Sequence, residues 1–238
     1  PPQPESPRSW MRSVTGIAAA SLLLLLMPIL ATLLSTAPPP GGIVIDGKFR
    51  DWEGMHGFTD PRGDQGANPD VDLLSYKVHV ADGVLLLYAN VSGLLFSARG
   101  GGGDSLYAFV DEDGDAATGF QVRGIGAERA VEFYGWDRAL AGTAVWVYEA
   151  SRAGTASDDW RSFDLGGTAT AEAGVSQLEA RADVGPRFAE DRVRVLFATM
   201  DASGNGDAAD GVVGPATRAH SVRQESIAGA RVSGPPAP

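Results

Sequence analysis

Oxygen-bearing side chains recur at alternate positions twice in this chain. In the run DEDGDAATG, single residues separate Asp111, Asp113 and Asp115. Within a loop, oxygens so spaced can converge on a hard cation such as Ca2+, whereas without one the adjacent charges repel. The same residues also suit a plain hairpin turn, because Asp and Gly satisfy local backbone groups. A second run, DASGNGDAAD, places Asp201, Ser203, Asn205 and Asp207 at alternate positions, with Gly206 sixth. This matches the first half of an EF-hand loop. The second half fails, since Val212 stands where a bidentate glutamate is needed. The segment is then a calcium loop of another type, with Asp210 assisting. Ca2+ is the one cofactor these patterns suggest.

A different chemistry is offered by Tyr134, Trp136, Trp146, Tyr148 and Trp160, crowded into one third of the chain. Aromatic faces stack on the apolar C–H faces of sugar rings, so these five are carbohydrate-binding candidates. Rings of this size also serve as core or as a protein interface. Across residues 144–149, Trp146 and Tyr148 share one face and Val145 and Val147 the other. If the valines point inward, the rings point away from that core.

Catalytic constellations do not emerge. His56, His79 and His220 are far apart, with no serine or carboxylate at a triad or zinc spacing. The absence of cysteine removes thiol nucleophiles, thiolate metal sites, disulfides and covalent haem attachment. The expectation is a binding module and not an enzyme. With 30 acidic and 19 basic residues the formal charge is -11, which argues against nucleic-acid binding.

The elements that must position these residues read as strands. Thirty-one glycines and fifteen prolines punctuate short β-branched and aromatic runs. Strands are expected at 43–46, 73–81, 84–91, 106–111, 130–134, 144–149, 168–173, 177–183 and 193–200. The clearest hairpin joins an alternating strand to the apolar VLLLYANV through Asp82-Gly83, a strong tight-turn signal. The second of these strands, apolar on both faces, should be central. The fold class expected is all-β, an antiparallel β-sandwich of about nine strands, following one N-terminal transmembrane helix.

That helix is expected over residues 14–36. The run 14–34 is uncharged and apolar, close to the roughly 20 residues that cross a bilayer. A cleaved signal peptide is the competing reading, but its apolar region is usually about 7–15 residues. Arg8 and Arg12 precede the segment, so residues 1–13 are expected on the cytoplasmic side and the remainder outside. Residues 37–42, APPPGG, form a linker. The sandwich then occupies 43–226, and 227–238 make a second linker or tail.

The opening IVIDGKFRDWEG resembles the first segment of carbohydrate-binding modules of family nine and their DOMON-like relatives. VLLLYANV, LYAFVDEDGDAATGF, GAERAVEFYG, QLEARADVG and VRVLFATMDASGNGD follow in the order of that family. The resemblance spans roughly residues 43–215. It implies a sandwich that binds sugars at the cell surface, binds haem without a covalent link, or serves as a structural module. Trp52 matches the family's structural tryptophan, whereas no aromatic clamp can be assigned by motif position. A glycan or a cell-envelope protein is the partner expected, besides the membrane. Met200, Met55 and His79 are the conceivable haem ligands, and Glu132 and Glu179 are hydrogen-bond partners or exposed.

Overall fold

The computed structural model describes residues 42–214, apart from 65–67, 82, 100–101, 153–158, 184–187, 189–190 and 210–212. The expected membrane helix at 14–36, its cytoplasmic segment and the 227–238 tail lie outside the described residues. Among those described, no helix is long and apolar enough to cross a membrane.

The described chain is all-β. Its strands are β1 (Phe58–Thr59), β2 (Leu73–Ala81), β3 (Val84–Val91), β4 (Asp104–Asp111), β5 (Phe120–Val122), β6 (Ile125–Ala127) and β7 (Arg129–Trp136). They continue with β8 (Ala139–Tyr148), β9 (Phe163–Gly167), β10 (Thr170–Ala173), β11 (Gln177–Asp183), β12 (Arg194–Met200) and β13 (Gly206–Ala208). A five-stranded sheet runs β1-β2-β3-β11-β10, a six-stranded sheet β13-β12-β4-β7-β8-β9, and β5-β6 form a separate ribbon. Every pairing within them is antiparallel.

Alternation along the strands explains how the sheets share a core. Leu85, Leu87, Ala89 and Val91 of β3 join Leu106, Ala108 and Val110 of β4 and Val195 and Phe197 of β12 in one buried cluster. Tyr76 reaches across to Phe197, ring to ring at 5.4 Å. Burying each of the valine, leucine and phenylalanine side chains stabilises by about 1.5–3 kcal/mol. The Thr143 hydroxyl donates to the Ala169 carbonyl at 2.8 Å and accepts from its N–H at 3.0 Å. That exchange ties the six-stranded sheet to the start of β10.

Both outer faces carry a second apolar layer. On the five-stranded sheet, Val84, Leu86 and Tyr88 lie under Ile43, Trp52 and the partly buried Phe49 and Met55. β3 is therefore central and covered on both sides, and its second cover is the leading segment. The strand expected at 43–46 is not one, because its backbone is held by a side chain in place of a ladder. The buried Glu179 of β11 accepts from the N–H groups of Asp46 at 2.9 Å and Gly47 at 2.6 Å. Its other oxygen accepts from Trp52 Nε1 at 2.9 Å. The IDGKFRDW run thus closes on one carboxylate.

On the six-stranded sheet, Tyr107 and Phe109 face outward beneath Phe120 of the ribbon and Trp160 of a short 3-10 turn. The ribbon and β9 went unrecognised in the sequence because runs of three to five residues carry too little alternation to read. The hairpin of β7 and β8 is longer than expected. Its strands continue to Trp136 and Ala139, which pair directly. Asp137 and Arg138 between them have φ of 52° and 65°, the positive values that a two-residue type I′ turn requires.

Candidate functional site

The first acidic run closes the end of β4. Asp111, fully buried, is ion-paired with Arg194 of β12 and accepts from Gly114 N at 2.6 Å. Asp113 accepts from Asp115 N at 2.8 Å, and the Asp115 carboxylate accepts from Ala117 N at 3.0 Å. The Asp115 side chain is thus turned to its own backbone. A residue not singled out in the sequence takes its place: Glu128, whose carboxylate lies with those of Asp111 and Asp113, all within 4.8 Å of one another. Pairing of β4 with β7 explains this, since Glu128 N donates to Val110 O at 3.0 Å. The signal lay in strand register, which spacing along the chain does not carry.

Thr118 caps the group, its hydroxyl 3.0 Å from Glu128 Oε1 and 3.1 Å from the Asp115 carbonyl. Burial is the main cause that raises Glu128 above the ordinary glutamate value. Hydrogen bonds from Glu112 N and Thr118 oppose it, and the charges of Asp113 and Asp111 add to it. Three carboxylates, a hydroxyl and a carbonyl in this arrangement are oxygen donors of the kind a hard cation takes. Gly126 lets the loop approach: a Cβ there would sit 1.7 Å from the Thr118 carbonyl.

The second run is divided. Asp201 accepts from the N–H groups of Ser203 and Asn205, each at 2.9 Å. Its other oxygen accepts from Asn205 Nδ2 at 3.0 Å and Asn68 Nδ2 at 2.8 Å. Against the upward push of burial, these donors hold Asp201 below the usual aspartate value. Asp207, on β13, does not join it. Ser203 and Asn205 are exposed, and Asp210 lies outside the described residues.

The five aromatic candidates also separate. Trp160, 9 % exposed, packs within 6.2 Å of Trp146 and 4.9 Å of Phe163. Trp146 Nε1 donates to Glu132 at 2.9 Å, and Tyr107 and Ser105 donate to the same buried carboxylate. Tyr148 is partly buried and sits edge-on to Phe163 at 5.9 Å. Val145 does face the inter-sheet core, but the rings on the other face are covered, Trp146 by Trp160 of the 3-10 turn and Tyr148 by Phe163 of β9. Trp136 stands apart: it is 47 % exposed and stacked with Tyr134, centroids 6.5 Å apart and planes at 27°.

The haem candidates are dispersed, with Met55 in the leading segment over the five-stranded sheet and Met200 against the main core. His79 is on β2. A hollow of about 250 Å³ is lined by Lys48, Arg50, Trp52, Lys77, Tyr88 and Gln177, smaller than the roughly 300–1,000 Å³ of small-molecule pockets. Two of its cations are engaged already, Lys48 with Asp46 and Lys77 with the Trp52 carbonyl. No family model matches this chain, and no curated protein shows significant similarity to it.

Proposed function

We propose that this chain is a membrane-anchored extracytoplasmic binding module, carbohydrate-binding-like and non-catalytic, with a structural Ca2+ in the loop that follows β4. The observation that carries the reading is the Trp136 ring, exposed at a hairpin tip and backed by Tyr134. A flat apolar face beside solvent is what a neutral sugar ring stacks on. The order of motifs from IVIDGKFRDWEG to VRVLFATMDASGNGD, like that of family-nine carbohydrate-binding modules, supports the same assignment. The apolar run at 14–34 supplies the tether.

Glycan-array binding by the full chain is expected, and Trp136→Ala is expected to abolish it with an unchanged melting temperature. An array blank for the wild type overturns the carbohydrate reading. For the ion, chelator should lower the melting temperature, because a ligand of the folded state alone stabilises it. Asp113→Ala should remove most of the Ca2+-dependent increment that the loop contributes.

A docking role toward a cell-envelope protein is the second reading. It is favoured by Leu165, 65 % exposed on β9, which forms the edge of the six-stranded sheet. Unpaired backbone on such an edge can accept a further strand.

A further inference from the structure

The seam between the two sheets gathers two aspartates of the β1–β2 connection with Asp207, which the fold separates from the rest of the second run. Asp60 follows β1 directly, and its N–H donates to Leu74 O at 2.9 Å. Asp64 is in the turn beyond it, a turn held by Asp72, whose Oδ1 accepts from Gly63 N at 2.8 Å. Asp207 comes from β13 on the other sheet, and its Oδ2 accepts from Leu73 N at 2.8 Å. Thr199, beside Asp207, donates to the Val71 carbonyl. Edge elements of both sheets therefore converge here.

Carboxylate oxygens of Asp60, Asp64 and Asp207 lie within 4.8 Å of one another. Two oxygens bound to one Ca2+ at about 2.4 Å each stand at most about 4.8 Å apart. Asp207 is only 3 % exposed, and its Oδ1 has no hydrogen-bond partner. A buried charged oxygen without a partner costs several kcal/mol unless something is bound to it. Among the described residues, no lysine or arginine is ion-paired with Asp64, Asp72 or Asp207. Burial first, then the charges of Asp64 and Asp72 against the hydrogen bond from Leu73, push the Asp207 carboxyl up to about 6.

We propose that Asp60, Asp64 and Asp207 hold a hard divalent cation of the Ca2+ class, clasping the β1–β2 connection to β13. The donors are all oxygens, with no imidazole or thiolate among them, which suits Ca2+ and not Zn2+. Asp60 and Asp207 are the buried ligands, and exposed Asp64 is the side on which water completes the coordination.

Calorimetric titration of the full, chelator-treated chain with CaCl2 at neutral pH tests this. Asp64→Ala, at an exposed turn position, should bind one equivalent of Ca2+ fewer than the wild type. Asp207→Asn should do the same. Asp113→Ala should leave this equivalent in place, so failure at the β4 loop and failure here are distinguishable. Chelator should lower the wild-type melting temperature by more than that of Asp64→Ala. Unchanged stoichiometry and chelator sensitivity in Asp64→Ala would overturn the proposal, even if Asp207→Asn failed to fold.

Discussion

Two buried glutamates show how single carboxylates organise this molecule. Glu179 serves three donors from the leading segment and Glu132 serves Ser105, Tyr107 and Trp146. Removing an acceptor strands each buried donor at about 1–3 kcal/mol. Glu179→Ala is therefore expected to destabilise by roughly 3 kcal/mol or more. Urea unfolding measures it, and hydrogen exchange should show residues 43–55 opening first. Tyr107 is pushed up by burial, and then by the Glu132 charge, so its hydroxyl stays a donor.

Asp104 supplies a pH test at the same scale. Burial chiefly, and then the charges of Asp201 and Asp70 against the hydrogen bond from Ala98 N, raise it above 3.8. A raised carboxyl holds its proton more tightly in the folded state. Its stabilising contribution is complete below the unfolded value and is lost as pH rises through the folded one. Asp104→Asn keeps an acceptor for Ala98 N and cannot ionise. The variant should gain on the wild type as pH rises through the acid range, read as the difference in melting temperature.

Among the elements, the β7–β8 hairpin presents the Trp136 ring, and its turn is built without glycine. Asp137 N donates to Ala98 O at 2.9 Å and Arg138 N to Phe96 O at 2.7 Å. These bonds hold two side-chain-bearing residues at positive φ, which costs about 1–2 kcal/mol each. Arg138→Gly should relieve part of that and stabilise by about 1 kcal/mol, measured by urea unfolding, with glycan binding retained. Gly126→Ala should have the opposite effect. Its Cβ would collide with the Thr118 carbonyl, displacing the loop that carries Asp113, and the Ca2+-dependent rise in melting temperature should shrink.

Across the whole molecule, two sheets share one inner core and each carries an outer apolar layer. Of the two carboxylate groups, one lies at the end of β4 and the other where the β1–β2 connection meets edge strand β13. A net charge of -11 gives bound cations the further effect of relieving self-repulsion. The proposed tether makes a separate prediction: the full chain should stay with membranes through alkaline carbonate extraction. A chain starting at Pro40 should be released, and its co-sedimentation with vesicles would count against the anchor.

The sequence by itself determined the strand-rich class, the β2–β3 and β11 boundaries and the place of Asp113 in the turn after Asp111. Alternation and Asp-Gly punctuation are local signals, readable over eight or nine residues. Tertiary structure alone decided that Glu128 joins Asp111, that Asp207 leaves Asp201 for Asp60 and Asp64, and that Trp146 is covered while Trp136 is not. Each of these depends on which strand lies beside which. A one-residue difference in register, or a 3-10 turn laid over a sheet face, moves a side chain between core, rim and solvent. Spacing along the chain is blind to that neighbour.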